Sequence, residues 1–351
     1  ISGNGKYTKL CHSFFENKYN FKKCLLTNSC TSALEMAAIL LDIKPGDEVI
    51  MPSYTFVSTP NAFVLRGAKI VFCDSKKDNP CVDEDLIEGL ISGKTKAIVP
   101  VHYAGFSCNM EKIISIAKKH DLFVVEDAAQ AIDNYYVDSD KNLIPIGTQG
   151  HLSTFSFHES KNIISGEGGM LVINDERFIN RSEIIWEKGT DRAAFWRGEV
   201  DKYLWQDIGS SFLPSEITAA FLYSQLENLE LIQKKRKEIW NNYMDSFTII
   251  KDTVRLPSVP EYCKNNAHIF YLICKDSDEC LSLNKFLKSK NIYSAFHYHS
   301  LHSSPFFKDK HDGRKLTNCD KYSNCLIRLP IYYDLNRNDQ QKIIDNVIKF
   351  F

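Results

Sequence analysis

The sequence has no apolar run approaching the ~18 residues that a bilayer-spanning helix needs, and no charged-then-apolar leader opens it. These absences give no membrane partner and lead to the expectation of a cytoplasmic protein. Long blocks of one charge are also missing: 43 Lys and Arg stand against 44 Asp and Glu, for a formal net charge of −1. A nucleic-acid partner is therefore not expected, because neutralising phosphates takes a basic face. There are eleven cysteines, but they are irregularly spaced and include no C-x-x-C pair, so neither a zinc ribbon nor a dithiol redox motif is supported. They read instead as small buried hydrophobes in a reducing compartment. His297, His299 and His302 lie close together, but with no helical metal spacing and no acidic partner, so no metal is expected. No internal repeat or low-complexity tract occurs. The 351 residues, 44% hydrophobic and 25% charged, are ordinary for a globular chain of two or three domains.

What is present is an alternation of short apolar runs with helical patterns. Strands are expected at Leu25-Leu26, Val49–Met51, Lys69–Phe72, Ala97–Val101, Leu122–Val125 and Met170–Ile173. Helices are expected over Ala33–Leu41, Ser58–Leu65, Asp83–Leu90, Met110–His120 and Glu176–Lys188, with a further one that starts at Ser215 and runs past Arg236. Tyr135 to Gly147 reads as a hairpin or loop, and Gly189 to Gln206 as a long aromatic-rich loop. Such alternation predicts an α/β fold, a mostly parallel sheet covered by helices on both faces. From about residue 237 the pattern shifts to Val254–Leu256, Ile269–Cys274, a helix over Leu281–Ser289, Ile292–Tyr298 and Ile327–Ile331. The expectation is a large domain over 1–236 and a smaller α+β domain over 237–351.

Polar clusters follow the strand ends, where open α/β sheets bind their ligands. Ser29-Cys30-Thr31 opens a helix, where free N–H groups meet the positive end of the dipole; this suits a phosphate and equally an ordinary N-cap. Tyr54-Thr55-Phe56 is an aromatic loop. Asp127 ends the apolar run Phe123–Val125 and should lie deep, where a carboxylate needs a donor or cationic partner, unless it simply caps the next helix. Lys161 stands between Phe155-Ser156-Phe157-His158 and the glycines of Ser165–Gly169. Burial disfavours an ammonium and so suits an amine nucleophile; taken alone, the stretch also fits a surface lysine in a turn. Together these groups match what pyridoxal phosphate requires: an amine for the aldehyde, an acid for the ring nitrogen, a helix start for the phosphate and an aromatic ring for one face.

The chain resembles the DegT-type sugar-nucleotide aminotransferases of the fold type I group. The motifs that carry the resemblance are Glu126-Asp127-Ala128-Ala129-Gln130, Phe155–His158 with Lys161, Glu167-Gly168-Gly169, Pro52–Phe56 and Val101–Gly105. Within that family it is most similar to dTDP-4-amino-4,6-dideoxygalactose transaminases of surface-polysaccharide synthesis, through Glu187–Arg192, Arg197-Gly198, Asp201–Tyr203 and Asp207–Ser211. The resemblance implies that Lys161 holds pyridoxal 5′-phosphate as an imine and moves protons, while Asp127 pairs with the ring nitrogen. Gln130 would lie by the ring and Phe56 on it. Ser156 and the backbone of Cys30 and Thr31 would hold the phosphate. In the segment Ser211-Phe212-Leu213 many members carry Asn and Arg that reach the neighbouring subunit's phosphate, so a contact from Ser211 departs from the pattern. Candidate sugar contacts are Tyr103, His158 and His302, and Arg192, Arg197 and Lys202 could meet a nucleotide diphosphate. The implied partners are a nucleotide sugar, glutamate as amino donor and a second copy of the chain in a homodimer with shared active sites. A 3-keto-sugar or gluco-configured 4-amino-sugar transaminase is the alternative of the same class. A non-catalytic cofactor-binding regulator is the alternative of another class.

Overall fold

A computed structural model describes residues 1–351. Twelve strands are formed: β1 (Lys23–Thr27), β2 (Glu48–Pro52), β3 (Lys69–Cys73), β4 (Thr95–Ile98), β5 (Phe123–Asp127), β6 (Tyr135–Val137), β7 (Leu143–Pro145), β8 (Leu152–Ser156), β9 (Gly169–Ile173), β10 (Phe270–Ile273), β11 (Ala295–Phe296) and β12 (Leu326–Leu329). Seven of them make one sheet in the order β1-β9-β8-β5-β4-β2-β3. β3, β2, β4, β5 and β8 run parallel, and β9 runs against both β8 and β1. Helices cover both faces, so β2, β8 and β9 are buried along their whole length. This explains why β2 and β9 read as apolar runs rather than as alternating patterns; β8, with Ser153, Thr154 and Ser156 among its five residues, is equally buried but was not expected as a strand.

The carboxyl ends of the strands are fixed by local chemistry. β4 stops at Ile98, two residues before Pro100, which has no N–H to give a neighbouring strand. The Pro100 carbonyl still accepts from the Asp127 N–H at 2.9 Å, and the Asp127 carbonyl accepts from the His102 N–H at 3.0 Å. The backbone of Asp127 is thereby held on both sides just where β5 ends. The helix Cys30–Leu40 starts from an extended Ser29, whose Oγ accepts the Ser32 N–H at 3.1 Å. β9 can lie against this helix start because its first residue is Gly169. A Cβ there would come within 2.3 Å of the Cys30 nitrogen, closer than any side chain tolerates.

A second sheet, β10-β12-β11, is antiparallel and carries the helices Ser277–Ser289, Thr317–Cys325 and Arg337–Phe350. The expected single helix after Ser215 is two, Glu216–Glu227 and Leu229–Phe247, meeting at Asn228. Residue 236, the expected boundary, falls inside the second of these. One apolar core, running from Leu25 to Val347, joins the two sheets. A smaller core lies under the helix Lys6–Tyr19, on the far side of β1 and β9. Tyr135–Gly147 is the hairpin β6–β7. Val254–Leu256 is not a strand: Arg255 makes one bridge to Ile273, and Pro257 follows with no N–H to extend it. The aromatic stretch Gly189–Gln206 contains a short helix, Arg192–Trp196. All eleven cysteines are free, and ten are buried, as small hydrophobes would be.

Candidate active site

A cavity of about 480 Å³ opens at the carboxyl ends of β5 and β8. Seven of the residues expected at a cofactor line it: Cys30, Thr31, Phe56, Asp127, Gln130, Ser156 and Lys161. Asp127 is almost fully buried and accepts from Thr59 Oγ1 at 2.7 Å and from the Ala129 N–H at 3.2 Å. Burial pushes its carboxyl above the usual range, and those two donors pull the other way. Thr59 in turn touches Thr55 Oγ1 at 2.9 Å, so a short hydroxyl chain backs the carboxylate.

Lys161 lies in the connection between β8 and β9. That loop is closed by hydrogen bonds from the Phe157 N–H to the Gly168 carbonyl and from the Glu159 N–H to the Gly166 carbonyl, both at 2.8 Å. Gly166 takes φ +78°, which a side chain would resist. Burial lowers the Lys161 pKa, and the nearby Arg328 charge adds to this, while Cys30 and Asp127 oppose it. The setting therefore disfavours the ammonium and favours the amine that a nucleophile needs. Next to it, Asn162 ties the loop to the second lobe, donating to Gln233 Oε1 and to the Asn266 carbonyl, each at 2.8 Å. Asn162 Oδ1 is then the acceptor from His268 Nδ1 at 2.8 Å. This fixes the His268 tautomer, with a lone pair on Nε2. Burial holds that ring neutral, its pKa well below the ordinary histidine value.

The opposite end of the cavity is the start of the helix Cys30–Leu40. Ser29 Oγ satisfies the Ser32 N–H, and the helix ladder begins with the Ala33 N–H on the Ser29 carbonyl at 3.2 Å. The N–H groups of Cys30 and Thr31 are left for a ligand, next to the Ser156 and Ser58 hydroxyls. Phe56 is half exposed, and its ring centre lies 5.9 Å from that of Tyr298. Gln130 is oriented from both ends: its Oε1 accepts the Ala104 N–H at 2.7 Å, and its Nε2 donates to the Tyr298 hydroxyl at 2.9 Å. An anion-binding helix start, a flat aromatic wall, a buried acid and a low-pKa amine in one cavity fit pyridoxal phosphate. The free N–H groups match its phosphate, and Asp127 and Lys161 match its ring nitrogen and aldehyde.

The softer expectations divide. His158 lines the cavity, with Nδ1 2.9 Å from Ser160 Oγ. Tyr103 does not line it: it is fully buried, with its hydroxyl 2.8 Å from His297 Nδ1. His302 is also turned away, with Nδ1 2.8 Å from Ser53 Oγ, where it joins the loop after β2 to the second lobe. Arg192 faces Glu187 at 3.5 Å. Arg197 is paired with Glu183 at 2.8 Å and Glu199 at 2.7 Å, so its charge is already matched. Lys202 is exposed, and none of these three basic residues lines the cavity. Ser211 is exposed and outside the cavity of its own chain; its carbonyl meets Asn28 Nδ2 at 3.4 Å. Thr59, His268, Tyr298 and Arg328 do line the cavity, and sequence reasoning missed them. Arg328 left a signal, a lone charge inside the apolar run Leu326–Ile331. No group of three or more His, Cys, Asp or Glu side chains is arranged to hold a metal, and no helix is long and apolar enough to cross a membrane.

The model of the DegT/DnrJ/EryC1/StrS aminotransferase family matches residues 2–348. Protein MJ1066 of Methanocaldococcus jannaschii, uncharacterized, is 33% identical over 98% of this chain and 90% of its own. SpsC of Bacillus subtilis, a spore coat polysaccharide biosynthesis protein, is 30% identical over 93% of this chain and 85% of its own. Among solved structures, Helicobacter pylori PseC, an aminotransferase involved in the biosynthesis of pseudoaminic acid, superposes with a TM-score of 0.88 at 26% identity, covering 99% of this chain and 92% of that one. Spr1654 of Streptococcus pneumoniae in its PLP form has the same fold, with a TM-score of 0.88 at 24% identity over 100% of this chain and 93% of that one. With Lys161, Asp127 and the Cys30–Thr31 helix start converging on one cavity, the chain belongs to the DegT/DnrJ/EryC1/StrS aminotransferase family, and its cofactor is pyridoxal 5′-phosphate.

Proposed function

We propose that the protein moves an amino group from glutamate to the keto carbon of a nucleotide-linked 6-deoxy sugar. The substrate we assign is dTDP-4-keto-6-deoxy-D-glucose, and the product dTDP-4-amino-4,6-dideoxy-D-galactose, for surface-polysaccharide synthesis. The observation that carries the reading is that Lys161 and Asp127 line one cavity with the free helix start at its other end. Support for a sugar comes from the relatives, since PseC and SpsC are both named for making sugars or polysaccharides. Support for the nucleotide and the 4-keto position comes from the likeness of Glu187–Ser211 to that subgroup.

The bound cofactor supplies an electron sink for the carbon that loses its proton. The protein does the rest. Asp127, backed by Thr59, holds a positive charge at the ring nitrogen. The Cys30 and Thr31 N–H groups and Ser156 anchor the phosphate, and Phe56 covers one ring face. Lys161, whose ammonium form burial disfavours, would take a proton from the donor carbon and return one to the sugar carbon in the second half. We propose that Lys161 is the catalytic residue and that Asp127, Gln130, Ser156, Cys30, Thr31 and Phe56 are the cofactor contacts. We assign a second copy of the chain to the exposed apolar stretch that includes Trp196, Leu204 and Trp205. In such a homodimer Ser211 would serve the neighbouring site.

Incubation with glutamate and dTDP-4-keto-6-deoxyglucose tests this. The expected result is 2-oxoglutarate and an amino sugar whose NMR coupling constants show an axial amine at C4. An amine at C3, an equatorial amine, or no product would overturn the assignment.

A further inference from the structure

Arg328 stands on β12, the middle strand of the second sheet, beside Tyr271 and Ala295 in register. It lines the 480 Å³ cavity and also an adjoining one of about 670 Å³; Ser160, Lys161 and His268 are the other residues the two share. Its Nε is buried and has no hydrogen-bond partner. The ionisable groups that feel its charge include Lys161, His268, His297, Tyr54, Tyr103 and Tyr298, and no carboxylate lies within 4.0 Å of its guanidinium as an ion-pair partner. The acids on the two cavity walls are placed elsewhere. Asp127 is held by Thr59 and Ala129, Glu167 faces His158 at 3.6 Å, and Glu159 and Asp334 are exposed. The other guanidinium in reach, that of Arg236, is committed to the carbonyls of Ala267 and His268. Arg328 is thus a partly buried cation, its Nε withdrawn from solvent, without a counter-charge. A withdrawn charge is costly until it is paired, so the missing anion has to arrive with a ligand.

We infer that Arg328 receives the α-carboxylate of the amino donor and so presents the amine-bearing carbon to Lys161. This rests on the aminotransferase reading above. The carboxylate of an α-amino acid is attached to the reacting carbon, so an anion receptor for it must lie close to the lysine, as Arg328 does. The diphosphate of a nucleotide 4-keto sugar is joined across the ring from the reacting carbon, and its receptor would lie further out. The planar guanidinium fork matches a carboxylate in two hydrogen bonds, and Nε is one of the donors left unused.

The test separates the two half-reactions of the holoenzyme. In the first, glutamate converts the cofactor to its amine form, followed by absorbance in single turnovers. The wild type should prefer glutamate to its α-amide, isoglutamine, by about 10- to 100-fold, the range expected for one charge-assisted pair. Arg328→Gln should lose that preference through a higher half-saturating glutamate concentration, and Arg328→Lys should restore part of it. Calorimetric titration with glutarate, which has no amine to react, should show the same weakening without any turnover. The second half-reaction, run in reverse from the nucleotide amino sugar, should change less than threefold in Arg328→Gln. Loss confined to the sugar half would make the diphosphate the counter-ion and overturn the inference, and so would equal loss in both halves. A wild type that glutamate does not convert would instead refute the aminotransferase reading with this donor. Cofactor absorbance and thermal melting of each variant report whether it folds and loads.

Discussion

Thr59→Val removes the one side-chain hydroxyl that donates to the buried Asp127 carboxylate, at 2.7 Å, and leaves a side chain of nearly the same shape. A hydrogen bond to a charged group contributes about 2 kcal/mol, and about 1.4 kcal/mol corresponds to one pKa unit. The Asp127 pKa, already raised by burial, should therefore rise further, because a donor that favours the charged form is gone. The carboxylate is the form that pairs with a positive ring nitrogen, so losing it on acidification should slow the reaction. The acid limb of the rate of cofactor conversion by glutamate should then move up by about 1 to 2 pH units. The plateau at high pH should change less than the limb does. Thr59→Ser, which keeps the hydroxyl, should keep the limb near its wild-type position. Stopped-flow absorbance across a pH series measures both. An unmoved limb in Thr59→Val, or an equal shift in Thr59→Ser, would refute the claim that this hydroxyl sets the charge on Asp127.

Lys161→Ala should abolish the lysine–cofactor absorbance and lower turnover by at least about 10³-fold; a variant with normal turnover would remove Lys161 from the mechanism. Asp127→Asn should weaken cofactor binding yet raise the melting temperature of the cofactor-free protein at pH 7. The raised Asp127 pKa means that its charged form is a cost that grows as pH rises through the folded-state value; the difference between the two melting temperatures should therefore shrink as pH falls. Gly169→Ala should raise the cofactor dissociation constant by about tenfold or more by pushing on the Ser29–Cys30 backbone, measured by fluorescence titration of the stripped protein. His302→Ala should cost about 1–2 kcal/mol of stability through the lost Ser53 contact and leave the half-saturating sugar concentration unchanged, which kinetics and thermal melting read separately.

The alternation of apolar runs and helices was enough for six of the seven strands of the large sheet, because burial on both faces favours apolar residues along a strand; β8 was not legible, since its Ser153, Thr154 and Ser156 hide a fully buried strand. The same logic failed at Val254–Leu256, where one bridge and a proline stand in place of a strand. Asp127 was legible as a polar end to an apolar strand. Its neighbour Glu126 looks similar in sequence but points to the other face. There it accepts N–H groups from Gly147, Gln149 and Gly150 and lies 3.0 Å from His102 Nε2. Lys161 stood out because glycines and aromatics surround it. Tyr298, His268 and Arg328 could not be placed, because they reach the cavity from segments more than a hundred residues beyond Lys161. Tyr103 and His302 misled as sugar contacts for a related reason: a buried polar side chain that holds two segments together reads in sequence just like one that faces a ligand.

The cavity takes its helix start, its acid and its lysine from residues 29–168, and Tyr298 and Arg328 from the last third of the chain. During synthesis the floor therefore exists before the roof. A nascent chain that ends near residue 236 would leave the Lys161 amine open to water, where lysine keeps its proton and attacks aldehydes poorly. Closure of the cavity around Lys161 consequently waits for the final strands of this polypeptide to dock.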